Sequence, residues 1–253
     1  MKAQKAYPAQ HHSERTGCAA LPLTIVISCE HAGYRVPAAL QSLFVGKKSL
    51  LHSHRGWDAG ALPLARAWAR QWQAPLFFTT VSRLVCDTNR KVGSKGLWSA
   101  CTAQLEPAQK KAILQRWHSP HRQAVYTALA ALVQQGLVLH LAAHSFTPVL
   151  HSIVRTMDIG LLYDPARQHE QALARHWQQA LHRQAPHLIV RRNAPYRGAA
   201  DGLPTWLRKR LPPERYYGFE VECNQALLVH GAFPAAVLAA SLEEALVKLQ
   251  LKV

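Results

Sequence analysis

Apolar runs that stop abruptly in polar clusters recur along this chain. Thr24-Ile25-Val26-Ile27 runs straight into Ser28-Cys29-Glu30-His31-Ala32-Gly33. Four apolar or β-branched residues in succession predict a strand covered on both faces. Residues 74–85, APLFFTTVSRLV, predict one or two strands around a polar break at 79–82, and lead into Cys86-Asp87-Thr88-Asn89-Arg90. Residues 136–143, GLVLHLAA, predict another buried strand, which ends in His144-Ser145. Shorter strand-like runs follow at 158–163, 187–191 and 216–221, the last continuing into Glu222, Asn224 and Gln225.

Between these runs the apolar spacing changes to that of helices. Residues 62–72, 164–185 and 234–252 carry it, as do residues 106–135, where Pro120 predicts a break or a restart of the helix near His118-Ser119-Pro120-His121. Residues 37–51 predict a short helix or loop, residues 93–105 a loop, and residues 193–213 an irregular segment. Long irregular stretches in a compact domain are more often functional than idle. Strands alternating with helices predict an α/β fold: a single domain over residues 21–253, with a mixed, mostly parallel sheet and helices on both faces. Residues 1–20 are polar and read as a flexible leader.

Composition narrows the class. The 253 residues are 49% hydrophobic and 17% charged, the balance of an ordinary globular protein. No apolar run approaches the roughly 18 residues that span a bilayer, and the leader lacks the apolar centre of a signal peptide, so a cytoplasmic location is expected. The five cysteines form no CxxC pair, which argues against a disulfide framework or a cysteine zinc cage. The net charge of +16 fits nucleic acid, an anionic surface or an acidic substrate as partner. The basic residues are scattered, however. Their densest run is Arg208-Lys209-Arg210, and no nucleic-acid module accompanies it. Neither GxGxxG nor a P-loop is present, so no dinucleotide or phosphate-loop cofactor is indicated.

The chemistry sits where the strands end. In α/β sheets ligands gather at the carboxyl ends of strands, and here those ends carry His31, Asp87 with Arg90, His144 and Glu222. Two histidines and a carboxylate suit a hydrolytic zinc with one position left for water. Glu222 would serve as general base, and Arg90 would pair with a substrate carboxylate or a developing oxyanion. A structural role is the plain alternative for each histidine, and a helix cap is the plain alternative for Asp58. No GxSxG elbow supports a serine mechanism. A cysteine nucleophile, Cys29 or Cys223, is the competing catalytic reading.

Several ordered motifs carry a resemblance. Ser28-Cys29-Glu30-His31-Ala32-Gly33 with Val36-Pro37, His54 with Asp58, Gly60 and Ala61, and Ser82 through Arg90 are similar to the N-formylglutamate amidohydrolase family. So are His144-Ser145, Asn193 with Pro195 and Tyr196, Asp201-Gly202-Leu203, and Glu222 with Asn224 and Gln225. The resemblance implies a phosphorylase/hydrolase-like fold related to the zinc carboxypeptidases. It also implies hydrolysis of a small anionic N-acyl amino acid, N-formylglutamate in the founding case. It implies one zinc ion on His31 and His144. The related carboxypeptidase pattern would place an acid where this chain has Tyr34, so Asp58 is the expected carboxylate ligand, with Glu30 and then His54 as substitutes. Glu222 falls at the general-base position. Arg90 and Asn89, with Arg83 and Asn224, fall at substrate contacts, and Tyr196 and Arg197 would close over the substrate. Members like the histidine-pathway enzyme tend to have proline where Glu30 stands and an acid where Ala142 stands, so this chain resembles the broader branch. The competing class is a basic binding protein on a degenerate hydrolase scaffold, recognising nucleic acid or another anionic partner.

Overall fold

The computed structural model describes residues 22–229 and 234–252; the expected leader lies outside the described residues. The apolar runs form the middle of a six-stranded sheet of order β2-β1-β3-β8-β6-β7. Its strands are β1 (Leu23–Cys29), β2 (Leu76–Phe78), β3 (Leu137–Phe146), β6 (Ile159–Leu162), β7 (Val190–Arg192) and β8 (Tyr216–Asn224). The strands β2, β1, β3 and β8 are all parallel; β6 pairs antiparallel to β8 and parallel to β7. The mixed, mostly parallel sheet is thus the one the sequence predicts. A separate two-stranded hairpin, β4 (Val149–Leu150) and β5 (Ile153–Val154), stands outside it.

Helices cover both faces. They are α1 (Lys48–Leu51), α2 (Ala61–Gln71), α3 (Pro107–Ile113), α4 (Ser119–Leu132), α5 (Gln168–Gln184), α6 (Leu203–Arg208), α7 (Gln225–Val229) and α8 (Ala235–Lys248). The period-two alternation of β1 decides which face each residue serves. Ile25 and Ile27 join Leu64 and Trp68 of α2, Trp177 of α5 and Leu242 of α8, whereas Val26 joins Leu129 of α4 and Leu207 of α6. In α2 the buried positions Ala61, Leu64, Ala65 and Trp68 follow helical spacing, which seats one stripe on the sheet. Every residue of β3 is buried, as expected for the centre of a parallel sheet.

Two sequence expectations change. Of residues 74–85, only Leu76–Phe78 form a strand, with a single further bridge between Arg35 and Val81. The rest turns because the Ser82 hydroxyl donates to Gly56 O and accepts from the Leu84 N–H, a local alternative to the ladder. The segment 193–213 is not irregular throughout: it contains α6, with Pro204 in the first turn, where a missing N–H costs little. Pro120 sits in the first turn of α4, the restart that the sequence allows, and a π-helical turn at Leu114–His118 joins α3 to α4.

The basic run also divides. Arg208 is buried, with Nε 3.0 Å from Glu170 Oε1, and it donates to Gly198 O and Gly218 O. It therefore ties α6 to α5 and β8. No described helix is long and apolar enough to cross a membrane.

Candidate active site

Just past the end of β1 the chain delivers His31 to a buried position, and its carbonyl accepts from the Asp58 N–H at 3.0 Å. Asp58 does not cap α2. Gly60 takes that place with φ of +82°, a conformation that glycine adopts without strain. A Cβ there would lie 2.4 Å from Leu228 Cβ. Freed from capping, the Asp58 carboxylate points between two imidazoles. Its Oδ2 lies 3.2 Å from His31 Nδ1 and 2.9 Å from Nδ1 of His144, which stands in β3 opposite Glu222 of β8.

The other ring nitrogens face acids. His31 Nε2 is 2.7 Å from Asp87 Oδ1, and His144 Nε2 is 3.1 Å from Glu30 Oε2. The second contact is an ion-pair approach out of line for a hydrogen bond. Glu30 Oε1 also lies 3.3 Å from His121 Nε2. Arg83 bridges the two aspartates, 3.4 Å from Asp58 Oδ1 and 2.9 Å from Asp87 Oδ2. Burial alone would raise both aspartates, but the opposing charges outweigh it. His31 and then hydrogen bonds from the histidines hold Asp58 well below the usual carboxylate range; Arg83 and then His31 do so for Asp87. Glu30 behaves alike through His121 and His144.

His31, Asp58 and His144 each offer one donor atom within 4.8 Å of the others, a candidate metal-binding group. The donor chemistry fits a divalent metal: two imidazole nitrogens and a carboxylate converge, the His31 ring is aligned by Asp87 behind it, and the His144 ring faces the Glu30 charge.

A cleft of about 340 Å³ opens over this group, lined by His54, Asn89, Arg90, Tyr196, Arg197, Asp201, Glu220 and Glu222 among others. Glu222 differs from the other carboxylates. Burial pushes its pKa up to about 7; His144 opposes that, and the Asp58 and Glu220 charges add to it. Its Oε2 is buried without a hydrogen-bond partner among the described residues. Asn89 donates to Glu220 Oε1 at 2.7 Å and accepts from the Leu203 N–H, while Arg90 donates to Asp201 O. Tyr196 is half exposed on the cleft wall and accepts from Arg155.

The structure thus gathers nearly all the predicted residues, with two differences of placement. Arg83 lines the cleft, but its guanidinium is engaged by Asp58 and Asp87. Asn224 is not among the cleft-lining residues: its amide donates to Met157 O at 3.0 Å and its oxygen accepts from Ala226 N–H, which shapes the turn after β8. Tyr34 stacks on His52 at 4.2 Å and meets Trp57 edge-on, away from the metal-binding group. Cys29 and Cys223 belong to the apolar core under α2 and α8, and burial pushes both thiols up, so neither is presented as a nucleophile. Sequence reasoning gives Glu220 no role, and it offers Asp87 as a strand-end group and Glu30 as a substitute ligand without their places behind the two histidines. Their signal was adjacency to the strand ends.

A model of the N-formylglutamate amidohydrolase family matches residues 23–229. Among curated proteins none matches the sequence. The structure is similar to that of gene product Atu2144 from Agrobacterium tumefaciens: 28% identity, TM-score 0.76, over 89% of this chain and 91% of that one. It also shares its fold with an N-formylglutamate amidohydrolase from Ralstonia eutropha, at 19% identity and TM-score 0.59, over 91% of this chain and 94% of that one.

Proposed function

The chain belongs to the N-formylglutamate amidohydrolase family and is a hydrolase of carbon–nitrogen amide bonds, and from that premise we propose that it cleaves small N-acyl amino acids with zinc. N-formylglutamate is the first substrate to try. The observation that carries this reading is the convergence of His31 Nδ1, His144 Nδ1 and Asp58 Oδ2, each ring backed by a buried acid.

His31, Asp58 and His144 would hold the ion. When bound, zinc supplies an activated water and a Lewis acid for the scissile carbonyl. The remaining work falls to the chain's own groups. Asp87 and Glu30 fix the orientation of the two rings, and Arg83 holds Asp58 and Asp87 in place. Glu222, with its carboxyl near pKa 7, takes a proton from the attacking water and returns it to the leaving amine. Arg90 and Arg197 pair with the carboxylates of the substrate. Asn89 and Tyr196 complete the walls around it, and Asp201 and Glu220 keep Arg90 and Asn89 aimed.

Metal analysis of the purified protein tests the reading, together with turnover of N-formyl-L-glutamate before and after a chelator. About one zinc per chain and chelator-sensitive release of formate are expected. Activity without stoichiometric metal, indifferent to the chelator, would sink it. Glu222→Gln should lower kcat by about 10²–10⁴-fold with metal retained; loss of the metal instead would make Glu222 a ligand.

A further inference from the structure

A second hollow, of about 490 Å³, lies beside Lys91, one residue along the chain from the cleft wall at Arg90. Its lining carries Lys91, Arg122, Lys209 and Arg210, together with His118 and Trp206, and contains no carboxylate. The run Arg208-Lys209-Arg210 is accounted for only in part by the core: Glu170 neutralises Arg208, and Lys209 and Arg210 are left facing this hollow.

Three features distinguish it from a merely basic surface. Arg122 is only 3% exposed, a depth at which a cation ordinarily has a partner acid. One of its terminal nitrogens donates to Thr88 O at 2.9 Å and more weakly to Arg90 O, but Nη2 is buried without a hydrogen-bond partner among the described residues. Further, two guanidiniums share one ring: Arg122 lies 4.7 Å and Arg210 4.1 Å from the centroid of Trp206. Contact with the ring offsets part of their repulsion, and no carboxylate in the lining offsets the rest. The nearest acids lie outside the lining and act on Arg122 from a distance, each with another contact of its own. Asp201 accepts the Lys91 backbone N–H, Glu30 faces His121 and His144, and Asp87 holds His31 and Arg83.

We propose that this hollow is a binding site, distinct from the catalytic cleft, for a small molecule carrying a diphosphate-type group. Four cations in a lining that holds no carboxylate call for a ligand of more than one negative charge. The forked guanidiniums match phosphate oxygens, and the volume suits a small molecule rather than a single ion. The ligand would also touch the side chains that hold the cleft wall, since Arg122 and His118 both donate to the carbonyl of Arg90.

Calorimetric titration of the full chain with pyrophosphate at fixed ionic strength tests this without any assay of hydrolysis. Saturable binding at one site per chain is expected. Lys209→Ala/Arg210→Ala, which changes only exposed residues, should weaken it about tenfold or more with the unfolding midpoint and hydrolysis unchanged. Arg122→Lys, which keeps the charge and loses the fork, should also weaken it. A nucleoside triphosphate that binds more tightly than pyrophosphate would identify a nucleotide as the source of the group, and equal affinity would identify a free polyphosphate. The proposal is overturned by no saturable heat, by affinity unchanged in the double variant, or by citrate binding as tightly as pyrophosphate. Salt-steep binding of duplex DNA in place of pyrophosphate would likewise overturn it, in favour of a nucleic-acid surface.

Discussion

Replacing His140 should change how stability responds to acid. This histidine lies in the middle of β3, fully buried, with Nδ1 2.8 Å from the Tyr216 hydroxyl and Nε2 2.8 Å from the Ser28 hydroxyl. Both partners are neutral, and neither compensates a charge on the ring. Burial therefore pulls its pKa down to about 4, from an ordinary value near 6.5. The folded value lies below the unfolded one. Stability from this group is thus fully present above about pH 6.5 and is lost as pH falls toward 4, because the unfolded chain binds the proton first. Between pH 7.5 and pH 5 the linkage amounts to about 2 kcal/mol. His140→Gln keeps a donor and an acceptor but does not titrate. Its stability differs from that of the parent by an offset of about 1–3 kcal/mol from altered hydrogen bonding and packing, and that offset should shift by about 2 kcal/mol in the variant's favour at pH 5. Urea unfolding of both proteins at several pH values measures it, since other titrating groups act on both alike. An offset independent of pH would refute the assignment of a neutral buried imidazole.

Three further outcomes are expected. Asp87→Asn should weaken zinc binding by about 10- to 100-fold, read by competition with a chromophoric chelator, since it removes the charge behind His31; unchanged affinity would detach Asp87 from the metal group. Gly60→Ala should destabilise by about 1–3 kcal/mol in chemical unfolding, because of the positive φ and the close approach of Leu228; a stability equal to the parent's would contradict that packing. Alkylation of accessible thiols should leave hydrolysis intact, because Cys29 and Cys223 are buried in the core; inactivation would reopen the cysteine mechanism.

Much of this was legible in the sequence where the signal was local. The run Thr24–Ile27 specified β1 because covered strands need unbroken apolar character, and β3 and β8 followed for the same reason. His31 and His144 stood out because a strand end is where a polar group meets a cavity. Asp58 was harder. A carboxylate just before a helix reads equally as a cap, and only the Gly60 turn decides that it points at the histidines. Arg83 reads as a substrate contact because one of its aspartate partners, Asp58, lies 25 residues away, beyond the reach of local reasoning. Asn224 misled for a similar reason: its partner is a carbonyl across the sheet edge. The helix α6 was hidden by the Pro and Gly around it, and β2 was overestimated because Ser82 supplies its own hydrogen bonds.

The separation of His31, Asp58 and His144, the candidate metal-binding residues, along the chain has a consequence for how the protein matures. His31 and Asp58 are 27 residues apart, and Asp58 and His144 are 86 apart. They meet only once β1 has paired with β3 and the chain has folded back from Gly60. A nascent or unfolded chain has no comparable cage, so the proposed ion would select the native state and would raise its stability by about 2.7 kcal/mol at one hundred times its dissociation constant. The ladder between β1 and β3 also acts as a proofreader. A slip of one residue would turn His144 to the opposite face of the sheet, so a misregistered chain would lose the candidate metal-binding group as a whole.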